Sequence, residues 1–275
     1  MRIRRLGWAG LELEAAGESA VIDLFRDNAP LEPYTGPLHE EMPAPASAGA
    51  IATALVTHLH ADHCDPGAIA AALAPDGLLL RPAPAPPGGP LENGALLHAE
   101  QGIAQHGLAT RLLTPWESVA RGPFTFTAVP AVDGFGDPQV SWAVEAGGVR
   151  ILHAGDTLFH GSWWLTTLRL GAFDAVFLPV NGARVSLPHR QPASPLPAAM
   201  TPEQAAVAAR LLGAALAVPI HYDAIDAPPR YEQVERPAER FLAAAREAGV
   251  EARVLAAGET LELAPAAAAQ SRMSK

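Results

Sequence analysis

The chain has 275 residues, 49% hydrophobic and 17% charged, a balance that supplies a sizeable core and excludes a disordered chain. With 19 Lys and Arg against 29 Asp and Glu, the formal charge of −10 argues against a nucleic-acid-binding protein with a basic face. The single cysteine, Cys64, excludes an intrachain disulfide, so the chain needs no oxidising compartment.

The opening MRIRRLGWAGLELE has no apolar core of the signal-peptide kind, and no stretch approaches the roughly 18 apolar residues of a membrane span. A cytoplasmic location is the expectation. Leu11 and Leu13, then Val21 and Asp23, flank the turn signal Ala16-Gly17-Glu18, which reads as antiparallel strands opening a sheet. Residues 27–50 are Pro-rich and polar and read as a long loop of the lid or binding kind. Ala52–Thr57 is a short buried strand that runs into a histidine cluster. Asp65–Leu73 reads as a helix, with Asp65 as cap and Pro66 in the first turn.

Residues 81–94 are again Pro/Gly-rich and predict surface loop. Phe124–Val129 and Val140–Glu145 read as strands, and Gly147-Gly148 marks a hairpin into Val149–His153. Asp174–Pro179 and Leu216–Ile220 are further buried strands. Thr201, with Gln204 three residues on, starts a helix running to about Leu212, and Pro237–Ala248 is a helix stopped by Gly249. Residues 254–263 close with strands around Gly258, and the tail AAAAQSRMSK reads as frayed. No repeat of fixed period and no linker is evident, so a single domain over 1–275, two sheets with outer helices, is expected.

The segment that carries chemistry is His58-Leu59-His60-Ala61-Asp62-His63. Three imidazoles and a carboxylate fall within six residues at the end of an apolar strand. Imidazole nitrogen and carboxylate oxygen are the donors that zinc, iron and manganese accept. On a strand-to-helix loop, His58 and His60 can face one way while Asp62 and His63 turn to another side, an arrangement that suits two adjacent ions. Such a run is far more specific than a lone histidine.

The run resembles the H-x-H-x-D-H signature of the metallo-β-lactamase superfamily, and the likeness spans nearly the whole chain. Ile22-Asp23-Leu24 matches its upstream strand-end aspartate, His153-Ala154-Gly155-Asp156-Thr157 its G-D-T segment, and Pro219-Ile220-His221-Tyr222 its last histidine. The W-A-G-L start and the H-A-G-D-T form look most like the branch of L-ascorbate-6-phosphate lactonase and N-acyl-phosphatidylethanolamine phospholipase D. The resemblance implies a four-layer αββα sandwich holding one or two divalent ions, Zn2+ first, with Mn2+ or Fe2+ as alternatives. It implies that His58 and His60 hold one ion, that Asp62, His63 and His221 hold the other, and that Asp156 bridges. Asp62, Asp156 and His221 would thus carry catalysis, with hydroxide between the ions attacking an ester-like bond, a lactone or a phosphodiester. Nuclease, iron-dependent redox and weakly catalytic metal-binding readings are the alternatives.

One position departs from the family pattern. Where a histidine is expected after the strand ending at Val129, the chain has Asp133. Either Asp133 coordinates, which hardens the site toward manganese or iron, or the first site is weak. Asp23 reads either as an orienting residue beside the metals or as a strand-end turn residue, and Asp65 as a helix cap. Cys64 reads as a buried filler, His153 as a packed histidine, and His39, His98 and His106 as surface histidines. Trp163 and Trp164 read as aromatic packing of a short helix. Asn181, His189, Arg190 and Tyr222 are candidates for substrate contact. The expected partner is a small molecule, with no nucleic acid and a possible homo-oligomer.

Overall fold

The structure is a computed structural model that describes residues 1–265, so the terminal AAAAQSRMSK lies outside the described residues. The first half carries β1 (Arg2–Arg5), β2 (Leu11–Ala15), β3 (Glu18–Ile22), α1 (Glu32–Thr35), β4 (Ile51–Leu55), α2 (Pro66–Ala72), β5 (Leu73–Arg81), α3 (Pro90–Gln105) and β6 (Thr110–Leu112). The second carries β7 (Ser118–Arg121), β8 (Phe124–Pro130), β9 (Val140–Ala146), β10 (Val149–His153), α4 (Trp163–Leu170) and β11 (Ala175–Pro179). Then follow β12 (Arg184–Val185), α5 (Pro202–Leu211), β13 (Leu216–Ile220), β14 (Tyr231–Glu232), α6 (Pro237–Ala248) and β15 (Thr260–Glu262).

Two mixed sheets form, in the orders β15-β1-β2-β3-β4-β5-β6 and β13-β11-β10-β9-β8-β7, and β12 pairs with β14 apart from them. Each begins as hairpins and ends in parallel strands: β3-β4-β5-β6 in one, β10-β11-β13 in the other. The hairpin turns follow from backbone freedom. Ala16 (φ 48) and Gly17 (φ 82) make the β2–β3 turn, and Gly147 (φ 58) and Gly148 (φ 78) the β9–β10 turn. Two successive left-handed residues match the right-handed twist of the strands they join.

The period-2 alternation of the strands sorts side chains into layers. Leu11, Leu13, Ile22 and Leu55 of the first sheet meet Phe126, Trp142, Ile151 and Phe177 of the second in one core between the sheets. Val21, Ala54 and Leu79 face outward onto Ile69 of α2 and Leu96, Ala99 and Ile103 of α3. Leu152, Val176 and Ala217 face outward onto Trp163, Ala205, Ala209 and Phe241 of α4, α5 and α6. The result is the expected helix–sheet–sheet–helix sandwich.

The caps form as their residue types predict. Asp65 accepts from the Ala68 amide at 2.9 Å, and Thr201 and Gln204 form a reciprocal capping box. Other expectations are corrected. The 81–94 segment is not all loop, because Pro90 starts α3 and the Glu92 side chain returns to the Gly89 amide at 2.8 Å. The 27–50 loop contains the short helix α1, with a proline in its first turn. In 254–263 only Thr260–Glu262 forms a strand, pairing with β1, while Gly258 (φ 82) sits in a turn whose amide bonds to Arg5. Strand β5 follows α2 without a loop, and Pro75 and Gly77 hide it from a propensity reading.

Candidate metal centre

The donors converge at strand ends. His58, His60, Asp62 and His63 follow β4, Asp133 follows β8, Asp156 follows β10 and His221 follows β13. Seven side chains thus reach one place from four strand termini and fall into two groups. His58, His60, Asp133 and Asp156 form one, and Asp62, His63 and His221 the other, with donor atoms within 4.8 Å of one another in each.

The spacing suits a small cation. His63 Nε2 and His221 Nε2 each lie 3.4 Å from Asp62 Oδ2, and His58 Nε2 lies 3.7 Å from Asp156 Oδ1. Ligands at about 2.1 Å around a tetrahedral ion stand about 3.4 Å apart, so these gaps are those of a coordination shell. His58 Nε2 and His60 Nδ1, hydrogen-bonded to each other at 2.9 Å, sit closer than that and would part slightly around an ion.

Buried atoms without partners give an independent test of fit. His63 Nε2, both ring nitrogens of His221 and Asp133 Oδ1 are buried and make no hydrogen bond. Such orphans are costly in a folded protein unless something occupies the space between them. The residues therefore fit a divalent ion in each group. Asp156 spans the two: Oδ1 faces His58, and Oδ2 lies 3.9 Å from His63 Nε2 and 4.0 Å from His221 Nε2.

Surrounding groups hold each donor in register. Asp23, fully buried with φ 48, accepts from the Thr57 amide at 2.7 Å and hydroxyl at 2.8 Å, and bonds His63 Nδ1 at 2.8 Å. That bond leaves His63 Nε2 as the free donor, so Asp23 orients a histidine of the second donor group. Asp137 Oδ2 bonds His60 Nε2 at 2.8 Å, leaving Nδ1 toward the first group. Asp133 accepts both the Phe135 and Asp137 amides on Oδ2, so its Oδ1 is the atom left for the centre, 3.8 Å from His60 Nδ1. The Gln139 amide donates to Asp156 Oδ1 at 2.7 Å. The Trp8 indole donates to Asp62 Oδ2 at 3.0 Å, and its ring lies 4.0 Å from the His221 ring.

The electrostatics reflect dense packing of donors. Burial opposes charge on His63, yet Asp62 and Asp23 outweigh it and hold its pKa well above the usual histidine value. Burial and then neighbouring His63 and His60 push His58 well below that value. Asp133 is raised by burial and by Asp156 despite the pull of His60.

The donor groups open on a cavity of about 570 Å3 lined by His60, Asp62, Asp156 and His221 together with residues of the 27–50 and 183–200 segments. Two of the expected substrate residues line it, His189 and Arg190. Asn181 does not. It is fully buried, and its side-chain amide donates to the Tyr231 hydroxyl at 2.8 Å, so it acts on the cavity through a tyrosine that sequence reasoning missed. Tyr222 is a correction: it is buried in the core beside the second sheet, under the Arg5 guanidinium at 5.2 Å, and lines no part of the cavity.

His153 is satisfied by the Ala9 carbonyl (2.7 Å) and the Gly155 amide (3.2 Å) and is not a donor to the centre. Cys64 is buried, and burial pushes its thiol far up, which makes it inert. Trp163 packs fully buried against His160, whereas Trp164 is exposed. His39, His98 and His106 are exposed as expected, though His98 also lines the cavity.

Residues 21–222 match the family described as "Beta-lactamase superfamily domain", and the chain belongs to it. A protein of Methanoculleus marisnigri named "UPF0173 metal-dependent hydrolase" is 30% identical over 132 residues. That match covers 48% of this chain and 50% of the relative, so it spans about half the length of each. Among solved structures, the isothiocyanate hydrolase from Delia radicum gut bacteria aligns at TM-score 0.71 and 19% identity, covering 96% of this chain and all (100%) of that one. Igni18, a metallo hydrolase from Ignicoccus hospitalis, aligns at TM-score 0.65 and 18% identity over 96% and 99% of the two chains. No helix among the described residues is long and apolar enough to cross a membrane.

Proposed function

We propose that the protein is a metal-dependent hydrolase that cleaves an ester-like bond at a carbonyl, a lactone or a simple ester. The observation that carries this reading is Asp156, which faces both donor groups at the wall of the 570 Å3 cavity. His58, His60, Asp133 and Asp156 would hold one ion and Asp62, His63 and His221 the other, with Asp156 shared. Zinc is the first candidate. Manganese and iron are the alternatives, because Asp133 makes the first group two imidazoles with two carboxylates. A bound divalent ion lowers the pKa of its water toward about 7 and polarises the attacked group.

The chain's own residues place the substrate. The Tyr231 hydroxyl accepts from the Asn181 amide, so its proton is left to donate into the cavity, where it can bond a substrate carbonyl oxygen. Burial first, then Asp62 and Asp156, holds that phenol well above its ordinary pKa, so it stays a donor at neutral pH. Arg190 is the permanent cation among the described lining residues, and its Nη2 is already paired with Asp137 at 3.0 Å. A phosphodiester would meet little uncompensated positive charge from the protein, which favours a carbonyl substrate. The W-A-G-L start that pointed to the lactonase branch contains Trp8, which binds Asp62.

The test is hydrolysis of lactones, carboxylic esters, thioesters, phosphomonoesters, phosphodiesters and β-lactams by protein loaded with zinc, manganese or iron. Elemental analysis of the purified protein should show near-stoichiometric metal, and a lactone or ester should turn over fastest. Protein that takes up no metal on reconstitution would sink the reading. The specific feature favouring a second reading is again Asp133: a carboxylate-rich first group suits iron and oxygen chemistry, and iron content with oxygen uptake would select it.

A further inference from the structure

The cavity beside the donor groups is built for one kind of arm. Away from the donors its walls are Leu31 and Tyr34 from the segment after β3, Val185 and Leu187 from the segment after β11, Ile225 just beyond His221, and Phe135. Tyr34 is 38% exposed and Leu31, Val185 and Leu187 are half-buried, so apolar surface stands open to solvent next to the reacting centre. Pockets for small ligands bury apolar bodies against such walls and use a few polar groups for orientation. Here the polar groups are the donors, Tyr231, Thr35, His98 and His189, the last with its ring 6.3 Å from that of Tyr34, while the Arg190 guanidinium stacks 4.6 Å over the Phe135 ring and is tied to Asp137.

We infer that the substrate is an ester or lactone whose acyl part is an uncharged aliphatic arm longer than acetyl, lying along Leu31, Tyr34, Val185, Leu187 and Ile225. This rests on the hydrolase reading above and names its substrate class. The physical reason is the area the arm would take out of water. Each methylene buried on these walls contributes about 0.8 kcal/mol, roughly a fourfold gain in binding. A charged or heavily hydroxylated arm would lose its hydration along these apolar side chains, with only Thr35, His98 and His189 near them as polar lining residues. An acetyl group would leave the walls wet and gain nothing from them.

The experiment measures kcat/KM of zinc-loaded protein for p-nitrophenyl acetate, butyrate, hexanoate and octanoate. In parallel, calorimetry compares binding of acetate and octanoate to the same zinc-loaded protein. The expected result is at least a tenfold rise in kcat/KM from acetate to hexanoate and at least tenfold tighter binding of octanoate than of acetate. Leu187→Asp should flatten both slopes, and Leu187→Met should preserve them. If neither these esters nor the lactones of the wider panel are hydrolysed with zinc, manganese or iron, the hydrolase reading fails, and the two carboxylate affinities still decide this inference. Equal affinities, or no octanoate binding, overturn it even where the esters turn over.

Discussion

Asp137 bonds His60 Nε2 at 2.8 Å with the same carboxylate oxygen, Oδ2, that pairs with Arg190 at 3.0 Å. One atom thus ties a donor of the first group to a residue of the segment that walls the cavity. Burial raises the Asp137 carboxyl, but the bonds from His60 and Arg190 win and hold it below the usual aspartate value, so it is ionised at neutral pH. An ionised carboxylate on Nε2 fixes the tautomer and points Nδ1 at the centre. Asp137→Ala should weaken binding at the first group by about 10–100-fold. Competition with a chelating dye reads the affinity, and an unchanged value would show that something else orients His60.

Asp156 belongs to the first donor group, and its Oδ2 lies 3.9 Å from His63 Nε2 and 4.0 Å from His221 Nε2 of the second. Two cations about 3.5–4 Å apart repel, and a shared carboxylate offsets that repulsion. Asp156→Ala should therefore cost more metal than any single histidine change, and titration calorimetry should show the second equivalent lost. Two equivalents bound with native affinity would remove the bridging role.

Asp133 turns both loop amides onto Oδ2 and leaves Oδ1 buried and unpartnered. Replacing it by an imidazole softens the first group. Asp133→His should shift metal preference toward zinc and change turnover. An unchanged metal profile with unchanged turnover would place Asp133 outside the centre.

Tyr231 tests the polar side of the cavity. Tyr231→Phe keeps the ring, which lies 6.4 Å from the Trp8 ring, and removes the hydroxyl, which is both the donor into the cavity and the acceptor of the Asn181 amide. Loss of one donor to a developing oxyanion costs on the order of 10²-fold in kcat, so kcat should fall by about that with little change in KM, while the buried Asn181 amide left without its acceptor should lower stability by about 1–3 kcal/mol. A variant with native kcat would make Tyr231 a wall residue only.

Gly155 is a glycine for two reasons. Its φ is +66°, and a Cβ there would stand 2.8 Å from Thr57 Oγ1 and 3.0 Å from Gln139 Nε2. Thr57 holds Asp23, and Gln139 holds Asp156. Gly155→Ala should destabilise by about 1–3 kcal/mol, read by urea denaturation, and should loosen metal binding with it. Native stability in that variant would show that both side chains can move aside freely.

What the sequence by itself determined was local. His58, His60, Asp62 and His63 follow one strand within a single short loop, so their spacing alone announces metal chemistry. The Ala16-Gly17 and Gly147-Gly148 turns, the caps at Asp65 and Thr201 and the stop at Gly249 are likewise set by neighbours a few residues away. The division of the donors into two groups was already implied by the family resemblance, but only the tertiary structure decided which residues hold them. Trp8 reaches Asp62 across 54 residues, Asp137 reaches His60 across 77, and Asn181 reaches Tyr231 across 50. No periodicity or propensity reports such pairings, because they arise where separate strand ends meet when the two sheets pack face to face. The same holds for Tyr222: next to His221 of the second donor group in sequence, it is turned into the core by a backbone that passes through left-handed φ at His221 (58°) and Asp223 (64°).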